Sequence, residues 1–280
     1  NNNACFMIRK GIKDRDELEG LLLQNDIFKD FTLHLNDDSQ RQSRYHGLKF
    51  ATLDKDSQIK FRLRRFLRTV VVRQNKPDDN SSSMFEIFNR LNTGGTPLNA
   101  QEIRASLYYC DFYKMLVRLN NNEKWRSLLG KPVQDLHSKD IELILRSLAL
   151  LCEGDNYSPK MVSFLNLFSE KSKKFSEDEI NYLNDLFVSF IDACSELEEK
   201  AFFRNSRFSV TLFESVFVAA CYRDFKNKKL LKRKINTKTF EKLRNDSKFI
   251  SFLKSGSSSG ENIKGRMERA KEIINFVEED

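Results

Sequence analysis

Apolar residues recur at every third or fourth position along most of this chain, and that spacing predicts helices. Met84, Ile87, Phe88 and Leu91 form one stripe, and Ile103 and Leu107 a second. Further stripes run through Ile141, Leu145, Leu148 and Cys152, then Met161, Leu165 and Phe168. The longest joins Ile180, Leu183, Phe187, Phe190, Cys194 and Leu197, and another joins Val210, Phe213, Phe217 and Cys221. Polar residues mark the starts: Asp54 or Asp56, Asn99 with Glu102, Ser138, Ser158 with Pro159 next, Ser176 with Glu179, and Ser209. Asn99/Glu102 and Ser176/Glu179 have the spacing of capping boxes, and proline suits a first helical position. Two last helices are expected over 239–253 and 262–277, split by the flexible Gly256–Gly260 stretch.

The first hundred residues read differently. A helix is expected from Asp54 or Asp56 to about Arg65. Residues 66–72 are short, apolar and β-branched, which predicts a strand, and Lys76–Asn80 a turn. Before residue 54, only Asp16–Leu23 has a helical look, and His34, His46 and the polar run Asn36–Arg44 suggest loops. The expected fold class is therefore mainly α. A partial α/β domain over 1–97 precedes an all-helical bundle over 98–280, and no internal repeat suggests a solenoid.

Composition agrees and narrows the class. Ten glycines and four prolines among 280 residues are few for a loop-rich or β-rich chain, whereas phenylalanine occurs 24 times. No apolar run approaches the length of a membrane span and no signal-peptide pattern is present. Five cysteines, none in a Cys-x-x-Cys spacing, suit a reduced, cytoplasmic compartment in which they serve as small hydrophobes.

Candidate chemistry is sparse. The three histidines, His34, His46 and His137, fall in no metal or nuclease pattern, and no nucleotide-binding glycine loop or nucleophile elbow is found. The acidic runs at Glu177–Glu179 and Glu196–Glu199 suit helix starts and solvated faces. No residue is expected to be catalytic or to bind metal. The loop Asn92-Thr93-Gly94-Gly95-Thr96-Pro97 holds two adjacent glycines between two helices, with Arg90 and Arg104 on either side. Glycine lets backbone N–H groups approach an anion, and a helix N-terminus favours one. A tight helix–helix turn with Gly94 as C-cap accounts for the same residues equally well.

The net charge of +8 is concentrated in two regions. Lys60, Arg62, Arg64, Arg65, Arg68 and Arg73 run without an intervening acid. Residues 223–254 contain twelve lysines and arginines against three acids, with Lys226, Lys228, Lys229, Lys232, Arg233 and Lys234 clustered. Either region could bind a nucleic-acid backbone through counterion release, and either could be an ordinary basic surface.

The segment from Phe85 to Arg104, Phe-Glu-Ile-Phe-Asn-Arg-Leu-Asn-Thr-Gly-Gly-Thr-Pro-Leu-Asn-Ala-Gln-Glu-Ile-Arg, closely resembles the signature of the GmrSD-type domain. That domain forms the N-terminal part of modification-dependent (type IV) restriction endonucleases. Asp140–Leu150, Arg204–Glu214 and Ile263–Arg269 resemble later helices of the same family, so the likeness spans roughly 45–280. The resemblance implies a ParB- and sulfiredoxin-like N-terminal part followed by a helical bundle. It also implies nucleotide-dependent recognition or cleavage of foreign DNA, with a nucleoside triphosphate and magnesium as cofactors and DNA and a nuclease domain or subunit as partners. On this basis Arg90, Asn92, Thr93, Gly94, Gly95, Thr96, Gln101, Glu102 and Arg104 border a nucleotide or phosphate site. Gln101 and Glu102 retain the alternative of helix capping and interhelical hydrogen bonding. DNA contacts fall to Arg62, Arg64, Arg65, Arg68, Lys228, Lys229, Lys232, Arg233 and Lys234. The family's hallmark Asp-Gly-Gln-Gln-Arg motif and its His-Asn-His nuclease are absent from this sequence. The chain opens at Asn1 rather than methionine, which leaves room for the hallmark upstream. Without it, the expectation is binding of nucleotide or DNA without hydrolysis. A non-catalytic helical scaffold binding an acidic protein is the alternative.

Overall fold

A computed structural model describes residues 32–33, 43–60, 63, 85, 87, 90, 98–157, 160–253 and 258–274. The chain divides into two compact units, Asn1–Lys76 and Pro77–Asp280.

In the first unit, Thr32 and Lys49 form an antiparallel bridge. The Leu33 N–H donates to the Leu48 carbonyl at 2.9 Å, and the Gly47 N–H to the Leu33 carbonyl at 2.8 Å. Gly47 turns the chain there with a φ of 77°. Helix α1 spans Lys55–Ile59, and Asp54, rather than Asp56, caps it by accepting from the Ser57 N–H at 2.9 Å. The strand expected over 66–72, and Asp16–Leu23, lie outside the described residues.

The second unit is mainly helical. Phe85, Ile87 and Arg90 lie in helical conformation; Phe85 is buried, whereas Ile87, expected on the apolar stripe, is 38% exposed. Then follow α2 (Ala100–Leu107), α3 (Asp111–Asn120), α4 (Glu123–Leu129), α5 (Lys139–Glu153), α6 (Met161–Ser172), α7 (Glu177–Ala193) and α8 (Val210–Lys226). Helices α9 (Thr237–Asn245), α10 (Ser247–Phe252) and α11 (Gly260–Ile274) complete it.

Both capping boxes are formed. The Asn99 side chain accepts from the N–H groups of Gln101 and Glu102, and Glu102 accepts in turn from the Asn99 N–H. Ser176 and Glu179 exchange the same pair of bonds. Three starts differ from expectation. Helix α6 begins at Met161 with Lys160 as cap, beyond Ser158 and Pro159. Ser138 precedes α5 at a φ of 57° without a side-chain capping bond. The helix expected over 239–253 is two helices, because Asp246 ends α9 and caps α10 through the Phe249 N–H at 2.7 Å.

The region after residue 97 is not all-helical. Strands β1 (Phe203–Arg204) and β2 (Arg207–Phe208) form an antiparallel hairpin. Its turn residues Asn205 and Ser206 have φ of 49° and 61°, the left-handed conformation that a two-residue hairpin turn requires.

Helix α8 is the axis of the unit and packs against α5 and α11, while α7 packs on α3 and α8. The phenylalanines converge there. The Phe213 ring centroid lies 5.1 Å from Trp125, 5.3 Å from Phe202, 5.5 Å from Phe208 and 5.7 Å from Phe190. Such contacts add about 0.5–1.5 kcal/mol per pair to the gain from burial.

Candidate functional site

Two clusters of polar side chains stand out against this apolar core. The first begins at α2. Arg104 is fully buried. Its Nε donates to Asn166 Oδ1 on α6 at 3.0 Å, its Nη1 donates to Gln101 Oε1 one turn earlier, and Nη1 lies 3.4 Å from Glu142 Oε2 on α5. Tyr113 on α3 donates or accepts at Ser169 Oγ, 2.8 Å away, and burial pushes the pKa of this phenol up. Gln101 is as deeply buried as Arg104. Among the described residues, Gln101 Nε2 and Arg104 Nη2 have no hydrogen-bond partner.

From Glu142 the charges continue inward. Arg146, one turn later on α5, feels the Glu142 charge and bonds through Nε to Glu214 Oε1 on α8. Glu214 Oε2 accepts from Arg266 Nη2 on α11 at 2.8 Å, and neither of these side chains is exposed. Burial opposes the charge of both arginines. At Arg146 the Glu214 carboxylate outweighs it and the pKa is raised; at Arg266 burial prevails and the pKa is lowered. Arg104, Glu142, Arg146, Glu214 and Arg266 therefore form a ladder of alternating sign across four helices. Arg126, Asp140 and Asn120 form a separate buried group: Arg126 Nη1 donates to Asp140 Oδ2 at 2.7 Å and to Asn120 Oδ1 at 3.0 Å.

The nucleotide-site candidates are thus distributed unevenly. Gln101 and Arg104 face the interior, and Glu102 serves the capping box. His137 places Nδ1 3.3 Å from Glu102 Oε1, and its carbonyl accepts from Asn99 Nδ2 at 2.7 Å. Arg90 is exposed. Asn92, Thr93, Gly94, Gly95 and Thr96 lie outside the described residues. Among the described residues, no group of three or more histidine, cysteine, aspartate or glutamate side chains is placed to hold a metal ion.

The second cluster is the basic segment between α8 and α9. Helix α8 ends as a left-handed cap: Lys228 takes a φ of 53°, and the N–H groups of Lys228 and Lys229 return to the carbonyls of Phe225 at 3.1 Å and Asp224 at 2.9 Å. Glycine is the usual residue there, and a lysine costs roughly 1–2 kcal/mol. Buried Leu231 and Ile235 anchor the loop. It is tied to α7 by the Leu231 N–H on Ser189 Oγ at 3.3 Å, the Ile235 N–H on the Ala193 carbonyl at 3.0 Å, and Tyr182 Oη on the Lys229 carbonyl at 3.0 Å.

The five candidate cations of this loop are all exposed. Lys234 Nζ donates to the Asp192 carbonyl at 2.9 Å and to Ser195 Oγ at 2.8 Å. Arg233 Nη2 donates to the Ala220 carbonyl at 3.0 Å, and Nη1 lies 3.6 Å from Asp224. Lys228 Nζ sits 5.4 Å from the Tyr182 ring centroid. Lys229 and Lys232 make no ion pair among the described residues. Beside them, Lys271 Nζ lies 3.5 Å and Lys226 Nζ 5.3 Å from the Tyr222 ring centroid. Arg62, Arg64, Arg65 and Arg68 lie outside the described residues. An open cavity of about 420 Å³ elsewhere, beside the hairpin, is lined by residues of mixed charge, including Glu198, Glu199, Lys200, Arg204 and Arg244.

Sequence reading missed Glu142, Arg146, Glu214, Arg266 and Asn166 as partners of Arg104. A signal was available: Glu214 and Arg146 each sit within a mostly apolar stretch, Leu212–Val218 and Ile141–Leu151, where a buried partner makes a charge tolerable. No family model, curated protein or solved structure matches the chain. Among the described residues, no helix is long and apolar enough to cross a membrane.

Proposed function

We propose that the helical unit is the DNA-binding module of a nucleotide-dependent DNA-recognising or DNA-cleaving defence protein of the GmrSD type. The observation that carries the reading is the anchored loop 227–236. It holds Lys228, Lys229, Lys232, Arg233 and Lys234 outward on a scaffold fixed by Leu231 and Ile235. A lysine held in a left-handed position is a local cost borne on the very segment that concentrates the charge. Backbone phosphates suit such a surface, because lysine acts as a point charge that releases condensed counterions without reading bases. Catalysis belongs, on this reading, to parts carrying the hallmark motif and a nuclease.

Titration of labelled duplex DNA against the full chain from 50 to 200 mM salt tests this. Binding that weakens steeply with salt supports it, and absence of binding at 50 mM sinks it. The exposed lysines also suit an acidic protein partner. A polyglutamate competitor that displaces DNA at equal charge concentration would favour that second reading.

A further inference from the structure

The open cavity beside the hairpin carries charges of both signs that do not neutralise one another. Glu198 and Glu199, from the connection between α7 and β1, line it together with Arg204 of β1. Among the described residues, none of these three forms an ion pair. The walls are fixed from beneath. Buried Ala201 and Phe202 follow the glutamates, and the Phe202 ring centroid lies 5.2 Å from that of Phe240. The Ala201 N–H returns to the Glu198 carbonyl at 3.0 Å, and the Phe203 N–H to the Lys200 carbonyl at 2.8 Å.

Two arginines hold each other's strand or helix end. Arg204 Nη1 donates to the Arg244 carbonyl at 3.2 Å, and Arg244 Nη2 donates to the Phe203 carbonyl at 3.2 Å. Arg244 has a carboxylate of its own, with Nη1 3.2 Å from Glu241 Oε1. Arg204 has only the carbonyl. Its Nε and Nη2, the side-on edge of the guanidinium, make no hydrogen bond among the described residues. That edge is a fork that takes a carboxylate with two parallel bonds. Arg204 also stands directly opposite Arg207 in the hairpin, a like-charge register that weakens a strand pair and that an anion relieves. A bare anion suits the arginine but is repelled by the two glutamates, and a bare cation meets the reverse. Only a molecule carrying both charges satisfies both.

We propose that this cavity binds a small zwitterion, a free amino acid or a dipeptide. Arg204 takes its carboxylate through Nε and Nη2, and Glu198 and Glu199 take its ammonium group. A volume of about 420 Å³ is within the range of small-molecule sites. The inference goes beyond the DNA reading and uses none of the lysines of loop 227–236.

Thermal melts of the full chain with alanine, dialanine, N-acetyl-dialanine and dialanine amide test it. At about 10 mM, ten times a Kd of about 1 mM, a bound zwitterion should raise Tm by about 3–6 °C. A gain from alanine assigns the free amino acid, and a gain from dialanine alone assigns the dipeptide. The two blocked compounds, each lacking one charge, should give no gain. Arg204→Lys keeps the charge but loses the fork, and should weaken binding at least about tenfold. Should that variant fail to fold, Glu198→Gln/Glu199→Gln decides, since both glutamates are exposed and their replacement leaves the core intact; it too should lose the gain. No gain from alanine or dialanine in wild type, an equal gain from either blocked compound, or an undiminished gain in the glutamine variant overturns the proposal.

Discussion

Replacing Glu214 by glutamine removes one negative charge from the ladder while keeping the side chain's volume. No cavity is created, so the effect isolates electrostatics. Glu214 and Arg266 are fully buried and Arg146 retains 18% exposure, so little water can substitute for the lost carboxylate. Breaking a buried pair on one side costs about 3–5 kcal/mol, because the remaining charge stays desolvated. Here two arginines share the loss, which argues for the upper part of that range. A domain of this size loses about 2–4 °C of Tm per kcal/mol, so a loss of about 4–5 kcal/mol should lower Tm by roughly 8–20 °C. Circular-dichroism melts at pH 7 measure it. Two comparisons separate the cause. Asp111→Asn breaks the exposed pair with Lys114 and should leave Tm unchanged. Glu214→Leu with Arg146→Met and Arg266→Met removes all three charges and should recover most of the loss, since apolar replacement of a whole buried ion cluster is often neutral or stabilising. A Glu214→Gln protein within about 1 kcal/mol of wild type would refute the claim that the ladder is desolvated.

Three further outcomes follow from local geometry. The Glu179 carboxyl is held below its ordinary value of 4.5 by the backbone N–H and hydroxyl of Ser176. A depressed carboxyl stabilises the fold above its unfolded pKa and loses that contribution as pH falls through the folded one. The stability gap between wild type and Glu179→Gln should therefore shrink below about pH 4.5, and a gap equal at pH 3 and pH 7 would contradict the capping box. Gly130→Ala should destabilise by about 1–3 kcal/mol in urea melts, because Gly130 has a φ of 65° and a Cβ there would stand 2.7 Å from the Phe203 ring; an unchanged midpoint would show that the ring yields freely. Burial pushes the Cys152 thiol up to about 12 and those of Cys194 and Cys221 up as well. At pH 8 the buried Cys194 and Cys221 should label with a thiol reagent only as fast as the chain unfolds, and rapid mapped labelling of either would contradict its burial.

Helix boundaries were legible where a signal is local. Asn99/Glu102 and Ser176/Glu179 form their boxes because both partners lie within one turn. Asp246 was missed because a single residue both ends α9 and starts α10, with no glycine to mark the break. The hairpin was missed for a related reason: Asn205-Ser206 lacks the glycine that normally announces a turn with positive φ. The ladder depends on approach between residues 38 to 68 positions apart, which helical periodicity does not encode. Arg104 shows the difference most clearly. Its position beside the Asn-Thr-Gly-Gly loop marked it as a site residue, yet the structure turns it inward, to Asn166 and Glu142. Charge clustering at 226–234 was plain in the sequence, but only the fold separates Arg233 and Lys234, which bond to the scaffold, from Lys229 and Lys232, which do not.

The central claim, that the anchored basic loop binds a DNA backbone, is tested most directly by the salt dependence of DNA affinity in wild type and in Lys228→Gln/Lys229→Gln/Lys232→Gln. Each phosphate contact contributes about 0.9 to the slope of log K against log salt. The account predicts a fold that survives the triple substitution and a slope shallower by about 2–3, uniformly across sequences. An unchanged slope and affinity in a folded triple variant would contradict it.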